Sequence, residues 1–373
     1  MIRLPHKQSQ PIGLDLGSDC IKMIQLEPTA GGLVVQAAAQ YYFPAEVAPE
    51  SPERRGLAVE AVRRMYRQYG FRGRQAAMCV ADSELAIKTI RVPDGPPADV
   101  EQAVHEEAAR RLPFDPAGAS IKHLDAGRVQ QGNDVCREVI VLAVRNEDID
   151  SEIALLREMG LEPVAIDAGP CALFRSSERF LLREEDRDQV TLLVDIGSTS
   201  TKVVIGHGRE VVFIKAFTCG GRYINQAIAQ SLDLSPREAM NLRESLARQT
   251  AAQGEADDGE AGKVADEVLR ACEPVLGQMA KEISLCLRYH AVTFRGFRPS
   301  VMHLSGGEAR HPQTIDYLSR ALNLKVVKAD PLRNMNTSRV ELGQSRRQPA
   351  PCWMLSAGLA LRNLIPPGAG GAA

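Results

Sequence analysis

The chain has 373 residues, of which 44% are hydrophobic and 25% charged, with 45 basic residues against 47 acidic ones for a net charge of −2. That is ordinary globular composition, so a disordered, collagenous or wholly coiled-coil chain is excluded, and the length suits two or three domains. The near-neutral balance supplies no overall field to draw in nucleic acid or an anionic membrane. Eight cysteines show neither CxxC nor zinc-ligand spacing. Most sit beside apolar residues and read as small buried hydrophobes in a reducing compartment. The opening Met1-Ile-Arg-Leu-Pro-His-Lys-Gln8 lacks the apolar core of a signal peptide. No run approaches the roughly 18 apolar residues of a membrane span. A soluble, cytoplasmic protein is expected.

In chain order, the first distinctive segment is Ile12-Gly-Leu-Asp-Leu-Gly-Ser-Asp-Cys-Ile-Lys22. It reads as strand, tight glycine turn, strand. Residues 51–70 carry apolar positions at three- and four-residue spacing and predict a helix. Strands are expected at 76–81 and 87–92, then a helix at 99–112 with Asp99 as its N-cap. Strands at 121–124 and 135–144 follow, the latter holding the apolar run Val139 to Val144. A helix at 150–159 with Gly160 as its C-terminal cap, a strand at 163–167 and a helix at 170–180 complete this half. The stretch 76–161 reads as a small α+β unit inserted into a first domain. The charged joint 183–188 reads as a solvated linker.

The second half opens on Leu192-Leu-Val-Asp-Ile-Gly-Ser-Thr-Ser-Thr-Lys202. Aligning Asp15 with Asp195 also aligns Gly17 with Gly197, Ser18 with Ser198 and Lys22 with Lys202. This spacing is too long for a solenoid and suits two similar domains. A strand at 211–217 leads to Gly220-Gly221 and a helix to about residue 232. Ser235-Pro-Arg-Glu238 has the order of a capping box with proline at the first helical position. Residues 249–262 read as an exposed loop. A long helix is expected at 263–289, kinked or broken at Pro274. A strand at 300–304 ends in Ser305-Gly306-Gly307. A helix at 312–322, a strand at 324–327 and a last helix at 352–361 complete the pattern.

The two hairpin tips carry the chemistry. Turns built on Gly17 and Gly197 leave backbone N–H groups open to phosphate oxygens, as in other anion-binding nests. Ser18, Ser198 and Thr199 add hydroxyls, and Lys22 adds positive charge. Asp15 and Asp195 would repel phosphate unless a cation lies between them, which points to Mg²⁺ held by the two carboxylates, waters and the phosphates. Gly306-Gly307 lets backbone approach a base or an α-phosphate. Each signal alone is common in ordinary turns; the ordered set of three is specific. Glu106, Glu107 and the histidines form no recognisable catalytic or ligand cluster, and no water-orienting residue for hydrolysis can be placed.

This arrangement resembles the actin-like ATPase superfamily and, more narrowly, the PilM family of type IV pilus assembly proteins. The resemblance runs from Pro11 to Leu364. It rests on Gly13-Leu-Asp-Leu-Gly-Ser with Lys22, on Ile87-Lys-Thr-Ile-Arg-Val-Pro93 and Pro113-Phe-Asp, and on Val194-Asp-Ile-Gly-Ser. Gly220-Gly-Arg-Tyr-Ile, Lys281-Glu-Ile, Leu304-Ser-Gly-Gly and Ala357-Gly-Leu-Ala-Leu-Arg362 complete it. It implies an α/β fold of two duplicated ribonuclease H-like domains with an inserted FtsA- and PilM-type α+β subdomain. The implied division is 1–75 and 162–187 for the first domain, interrupted by the insertion at 76–161. The second domain is 188–221 and 297–345, with a helical insertion at 222–296. Residues 346–366 would return to the first domain, and 367–373 form a disordered tail.

The resemblance also implies bound ATP and the cytoplasmic N-terminal peptide of an inner-membrane PilN-like protein, held between the first domain and its insertion. That peptide would bring the chain to the inner membrane. Gly220, Gly221 and Arg243 would join the nucleotide site; Arg243 stands where relatives usually carry a lysine, and Met240 where they carry a glutamate. Hydrolysis would be weak at most, and self-association is a further candidate. Two other readings stay open: a peptide-binding scaffold of a pilus, competence or type II secretion system that needs no nucleotide, and a small-molecule kinase of the same superfamily.

Overall fold

The computed structural model describes residues 9–44, 46–48, 51–253, 260–294, 298–342 and 348–364. Strands β1 (Ile12–Leu16), β2 (Cys20–Thr29) and β3 (Gly32–Tyr42) form a meander, followed by α1 (Glu53–Gln68) and β4 (Gln75–Cys79). Then come β5 (Ala86–Pro93), α2 (Pro97–Arg111), β6 (Ala119–Gln131), β7 (Asp134–Arg145), α3 (Asn146–Glu158), β8 (Glu162–Asp167) and α4 (Gly169–Glu178). The second half has β9 (Val190–Ile196), β10 (Thr201–His207), β11 (Glu210–Phe217), α5 (Gly221–Leu232), α6 (Pro236–Gln253) and α7 (Glu260–Thr293). It closes with β12 (Val301–Gly306), α8 (Pro312–Leu322), β13 (Lys325–Lys328) and α9 (Met354–Ala360).

The two large sheets repeat one topology. The first has the order β3-β2-β1-β4-β8 and the second β11-β10-β9-β12-β13. In each, an antiparallel meander is followed by parallel strands, β4 beside β1 and β12 beside β9. Two short helices lie between the sheets. Helix α9 covers the first sheet so closely that a Cβ on Gly13 would stand 2.0 Å from the Ser356 carbonyl oxygen. Helix α4 faces the second sheet, where Phe174 lies over Gly206. The two helices meet backbone to backbone: a Cβ on Gly358 would be 1.8 Å from the Ala172 carbonyl oxygen. Ser176 donates to the Met354 carbonyl at 2.7 Å, and Arg175 and Arg362 both donate to the buried Asp167 carboxylate.

Several local expectations are corrected. Strand β4 pairs with β1 and β8 in the first sheet, so it does not open the inserted unit; the separate small sheet is β5-β7-β6. Sequence order cannot show which sheet a short strand joins. The small sheet explains the apolar run in β7. Val139 and Val141 face α2 in one core, while Ile140 and Leu142 join the core of the second half beside Phe213. A strand covered on both faces has no polar alternation. The unit is thus inserted between strands of the first sheet yet packs its other face on the second half.

Helix α2 starts at Pro97 and has no side-chain cap, so Asp99 lies in its first turn rather than at the N-cap. The expected joint at 183–188 contains an exposed 3₁₀ turn, Glu184–Asp188. Part of the loop expected at 249–262 is helical, since α6 runs to Gln253 and α7 begins at Glu260; residues 254–259 lie outside the described residues, as does the expected tail at 367–373. Helix α7 continues through Pro274 without a break. Pro274 is on the exposed face, where water can take the carbonyl that the missing N–H leaves free. The expected capping box is formed: the Glu238 amide donates to Ser235 Oγ at 3.2 Å and the Ser235 amide to Glu238 Oε2 at 2.8 Å.

Candidate nucleotide cleft

A cleft of about 1090 Å³ runs between the two halves. Its floor is made by the tips of the β1–β2 and β9–β10 hairpins. The tips close alike: the Gly17 amide donates to the Cys20 carbonyl at 3.1 Å and the Gly197 amide to the Ser200 carbonyl at 2.9 Å. Register places Asp15 opposite Lys22 and Asp195 opposite Lys202. The tips meet across the cleft, with Ser18 Oγ 3.2 Å from Thr199 Oγ1. Ser198 Oγ is buried with no hydrogen-bond partner.

Electrostatics beneath the tips are dominated by carboxylates. Burial raises the Asp15 pKa above its ordinary 3.8; the Asp195 charge adds to this, and Lys22 and Lys202 oppose it without cancelling it. Asp195 is better supplied, since Ser305 Oγ donates to its Oδ1 at 2.8 Å. Lys22 lies 3.6 Å from Asp15. Lys202 lies 2.6 Å from Asp82 and 3.9 Å from Asp195. Burial works against the charge of both lysines, yet their acidic neighbours hold both pKa values above the ordinary lysine value. An acid whose charge is still penalised after its lysines are counted is a place where a divalent cation is favoured. Two carboxylates with room for water and phosphate oxygens fit Mg²⁺, though among the described residues no group of three or more His, Cys, Asp or Glu could hold a metal alone.

The glycines are placed for close approach. A Cβ on Gly17 would stand 2.8 Å from the Cys20 carbonyl oxygen. Gly306 has φ +86°, and a Cβ there would lie 2.2 Å from the Ile196 carbonyl oxygen, so only glycine fits. Gly307 is open, with no atom within 4 Å of where its Cβ would be. Gly221 lines the cleft, whereas Gly220 does not. Gly220 instead starts α5 against the second tip: the Gly221 and Arg222 amides donate to the Gly197 and Ser198 carbonyls at 2.9 and 2.8 Å. Those N–H groups of the helix start are therefore already used.

Arg243 lines the cleft, but its guanidinium is committed. It donates to Glu308 through both terminal nitrogens and to Asn225 Oδ1 at 2.8 Å, and Thr314 donates to Glu308 at 3.2 Å. Burial pushes the Glu308 pKa up, but Arg243, His311 and the Thr314 hydrogen bond together more than offset this and the net shift is downward. Next to them, burial and the Arg243 charge lower His311 to about 4. Arg243, expected at the nucleotide site, is thus one half of a buried ion pair. Glu308, Lys202, Asp82 and Ser200 were not among the expected site residues. Lys202 was visible in the same alignment as Lys22, and Glu308 adjoins the Gly306-Gly307 pair. Asp82 carries no sequence signal beyond being polar after a strand.

The family model described as type IV pilus assembly protein PilM matches residues 13–364. The chain belongs to the PilM family. It is similar to the solved PilM–PilN type IV pilus biogenesis complex, with 24% identity, a TM-score of 0.76, and 96% of this chain and 99% of that one covered. It is also similar to the ethanolamine utilization protein EutJ from Carboxydothermus hydrogenoformans, at 16% identity and a TM-score of 0.54, covering 96% of this chain and 91% of that one. The fold is the actin-like ATPase fold, with mixed α/β layers and the two duplicated halves described above. Among the described residues no helix is long and apolar enough to cross a membrane.

Proposed function

We propose that this PilM-family chain is an ATP-binding scaffold of type IV pilus assembly that also holds the cytoplasmic N-terminal peptide of a PilN-like inner-membrane protein. The observation that carries the nucleotide part is the meeting of two like hairpin tips, Ser18 against Thr199 at 3.2 Å, above the Asp15 and Asp195 carboxylates. The amides and hydroxyls of Ser18, Ser198 and Thr199 would take the phosphates, with Lys22 balancing charge, while Gly17 and Gly197, whose own amides close the tips, would leave room for the phosphate oxygens. Mg²⁺, held by Asp15 and Asp195, would neutralise phosphate charge. Gly221, Gly306 and Gly307 would let the nucleoside approach backbone. Arg243 acts in this reading by bracing Glu308 and Asn225.

The peptide part is supported by family membership and by the likeness to a PilM–PilN complex. Its groove would run between the first sheet with its helices and the β5-β7-β6 unit. Because that unit also packs on the second half, a ligand that favours the closed cleft changes the peptide groove by its differential affinity for the two states. The inner-membrane location follows from the peptide and not from the chain itself.

The test is thermal unfolding with Mg-ATP and, separately, with a synthetic peptide of the partner's N-terminal tail. A rise in midpoint with each ligand is expected. Asp15→Ala and Asp195→Ala should remove the first gain and leave the second. A gain with peptide and none at millimolar Mg-ATP would instead select the nucleotide-independent scaffold.

A further inference from the structure

The two duplicated lysines differ in what they hold. Lys22 stays within its own hairpin, at 3.6 Å from Asp15. Lys202 leans out of its hairpin and across the cleft: it is 2.6 Å from Asp82 and only 3.9 Å from Asp195 in its own hairpin. Asp82 follows β4 of the first sheet, and its carboxylate also accepts from Ser200 Oγ at 2.6 Å. The Lys202 side chain is 7% exposed, the Asp82 side chain 36%. A buried ammonium needs a counter-ion at close range, and the carboxylate that serves here belongs to the opposite half and faces the solvent side of the cleft. All three residues line the cleft with both phosphate-type tips.

We propose that Asp82 is an internal competitor for the phosphate groups, holding Lys202 across the cleft and giving it up when a nucleoside polyphosphate binds. This rests on the nucleotide reading given above. A triphosphate brought between the tips places anionic oxygens near Lys202 while Asp82 carries the same sign of charge into the same space. The pair therefore links the halves without nucleotide, and it weakens phosphate binding by the free energy of the exchange. Lys202 is a phosphate-binding residue and Asp82 sets its availability.

The experiment is calorimetric binding of Mg-ATP and of adenosine to the full chain, with unfolding midpoints measured in parallel. Asp82→Asn should bind Mg-ATP about fivefold more tightly, the scale of a partly exposed ion pair, and bind adenosine unchanged. Its nucleotide-free midpoint should fall. Asp82→Ser guards against a folding failure of the amide and should shift both quantities in the same directions. Lys202→Met should lose about tenfold in Mg-ATP affinity, as expected when a phosphate loses its cation. A wild-type chain that ignores Mg-ATP beside an Asp82→Asn variant that binds it would also support the competition. Wild-type binding with equal or weaker binding by folded Asp82 variants would overturn it and leave the nucleotide site standing. Absence of binding by every variant would overturn both.

Discussion

The two hairpins share a backbone and differ in supply. Asp195 has a hydroxyl from Ser305 on the neighbouring parallel strand, at 2.8 Å. Asp15 faces the corresponding strand β4, where the pairing Leu14–Met78 sets Cys79 alongside it, and a thiol is a weak donor. The second half also carries a buried ion pair, Arg243–Glu308, behind its glycine pair. In the first half the corresponding loop after β4 presents Asp82 to the cleft. The same fold thus makes one half well satisfied and the other charged and exposed. The difference teaches that duplicated motifs set where charge is placed, while the strands beside them decide what it costs.

The largest expected break in this asymmetry is Arg243→Ala. It leaves the Glu308 carboxylate buried without its partner, which costs about 3–5 kcal/mol. The Glu308 pKa is lowered in the fold, so its contribution is present above its ordinary 4.5 and is lost as pH falls through the folded value. The variant should therefore lose most stability near neutral pH and little in acid, as measured by urea unfolding at a series of pH values. Next comes Gly13→Ala, at a position where the second half has Leu193. A Cβ at 13 meets the Ser356 carbonyl at 2.0 Å and the Ala360 amide at 2.7 Å, both backbone and unable to swing aside. The cost should be about 3 kcal/mol, at the upper end for overpacking, while Leu193→Ile should be much milder.

Asp15→Ala and Asp195→Ala test whether the two halves share one cation. Both should abolish stabilisation by Mg-ATP, a loss of about 2.7 kcal/mol at a ligand concentration one hundredfold above Kd. Without ligand the two should differ. Asp15→Ala leaves the buried Lys22 ammonium without its carboxylate, whereas Asp195→Ala leaves Ser305 the Val194 carbonyl at 3.4 Å and Lys202 its Asp82 partner. Equal ligand-free midpoints would break the comparison. Protons compete with Mg²⁺ at Asp15, so the Mg-ATP gain should shrink as pH falls toward the raised Asp15 pKa.

The hairpins were legible in the sequence because an acid, a glycine and a hydroxyl recur in the same order at both tips. The sheet order, in contrast, is set by contacts that residue order does not reveal. β4 looks like the first strand of a small unit until its partner β1 is seen. Arg243 and Glu308 meet across α6 and the start of the turn after β12, and nothing in either local pattern predicts the other. The run Val139 to Val144 announced burial, but not that its two faces serve different cores. Pro274 was a sound reason to expect a break; the exposed face of α7 removed its main cost.

The smallest and sharpest change converts one half toward the other. Cys79→Ser places a hydroxyl on β4 where Ser305 stands on β12. Burial raises the Asp15 pKa, with further upward pressure from Asp195, and a hydroxyl donating to the carboxylate favours its charged form. The Asp15 pKa should fall, and with it the penalty on the charged carboxylate. With a raised pKa, Asp15 favours the fold below its ordinary 3.8, and that contribution is lost as pH rises through the folded value. Lowering the folded value narrows this window and reduces the penalty at neutral pH, so Cys79→Ser should gain stability at pH 7 relative to pH 3. Carbon-13 titration of the Asp15 carboxyl reads the pKa directly. If it stays in place while the chain remains folded, the missing hydroxyl on β4 is not what keeps the Asp15 pKa raised, and burial with the Asp195 charge alone holds it there.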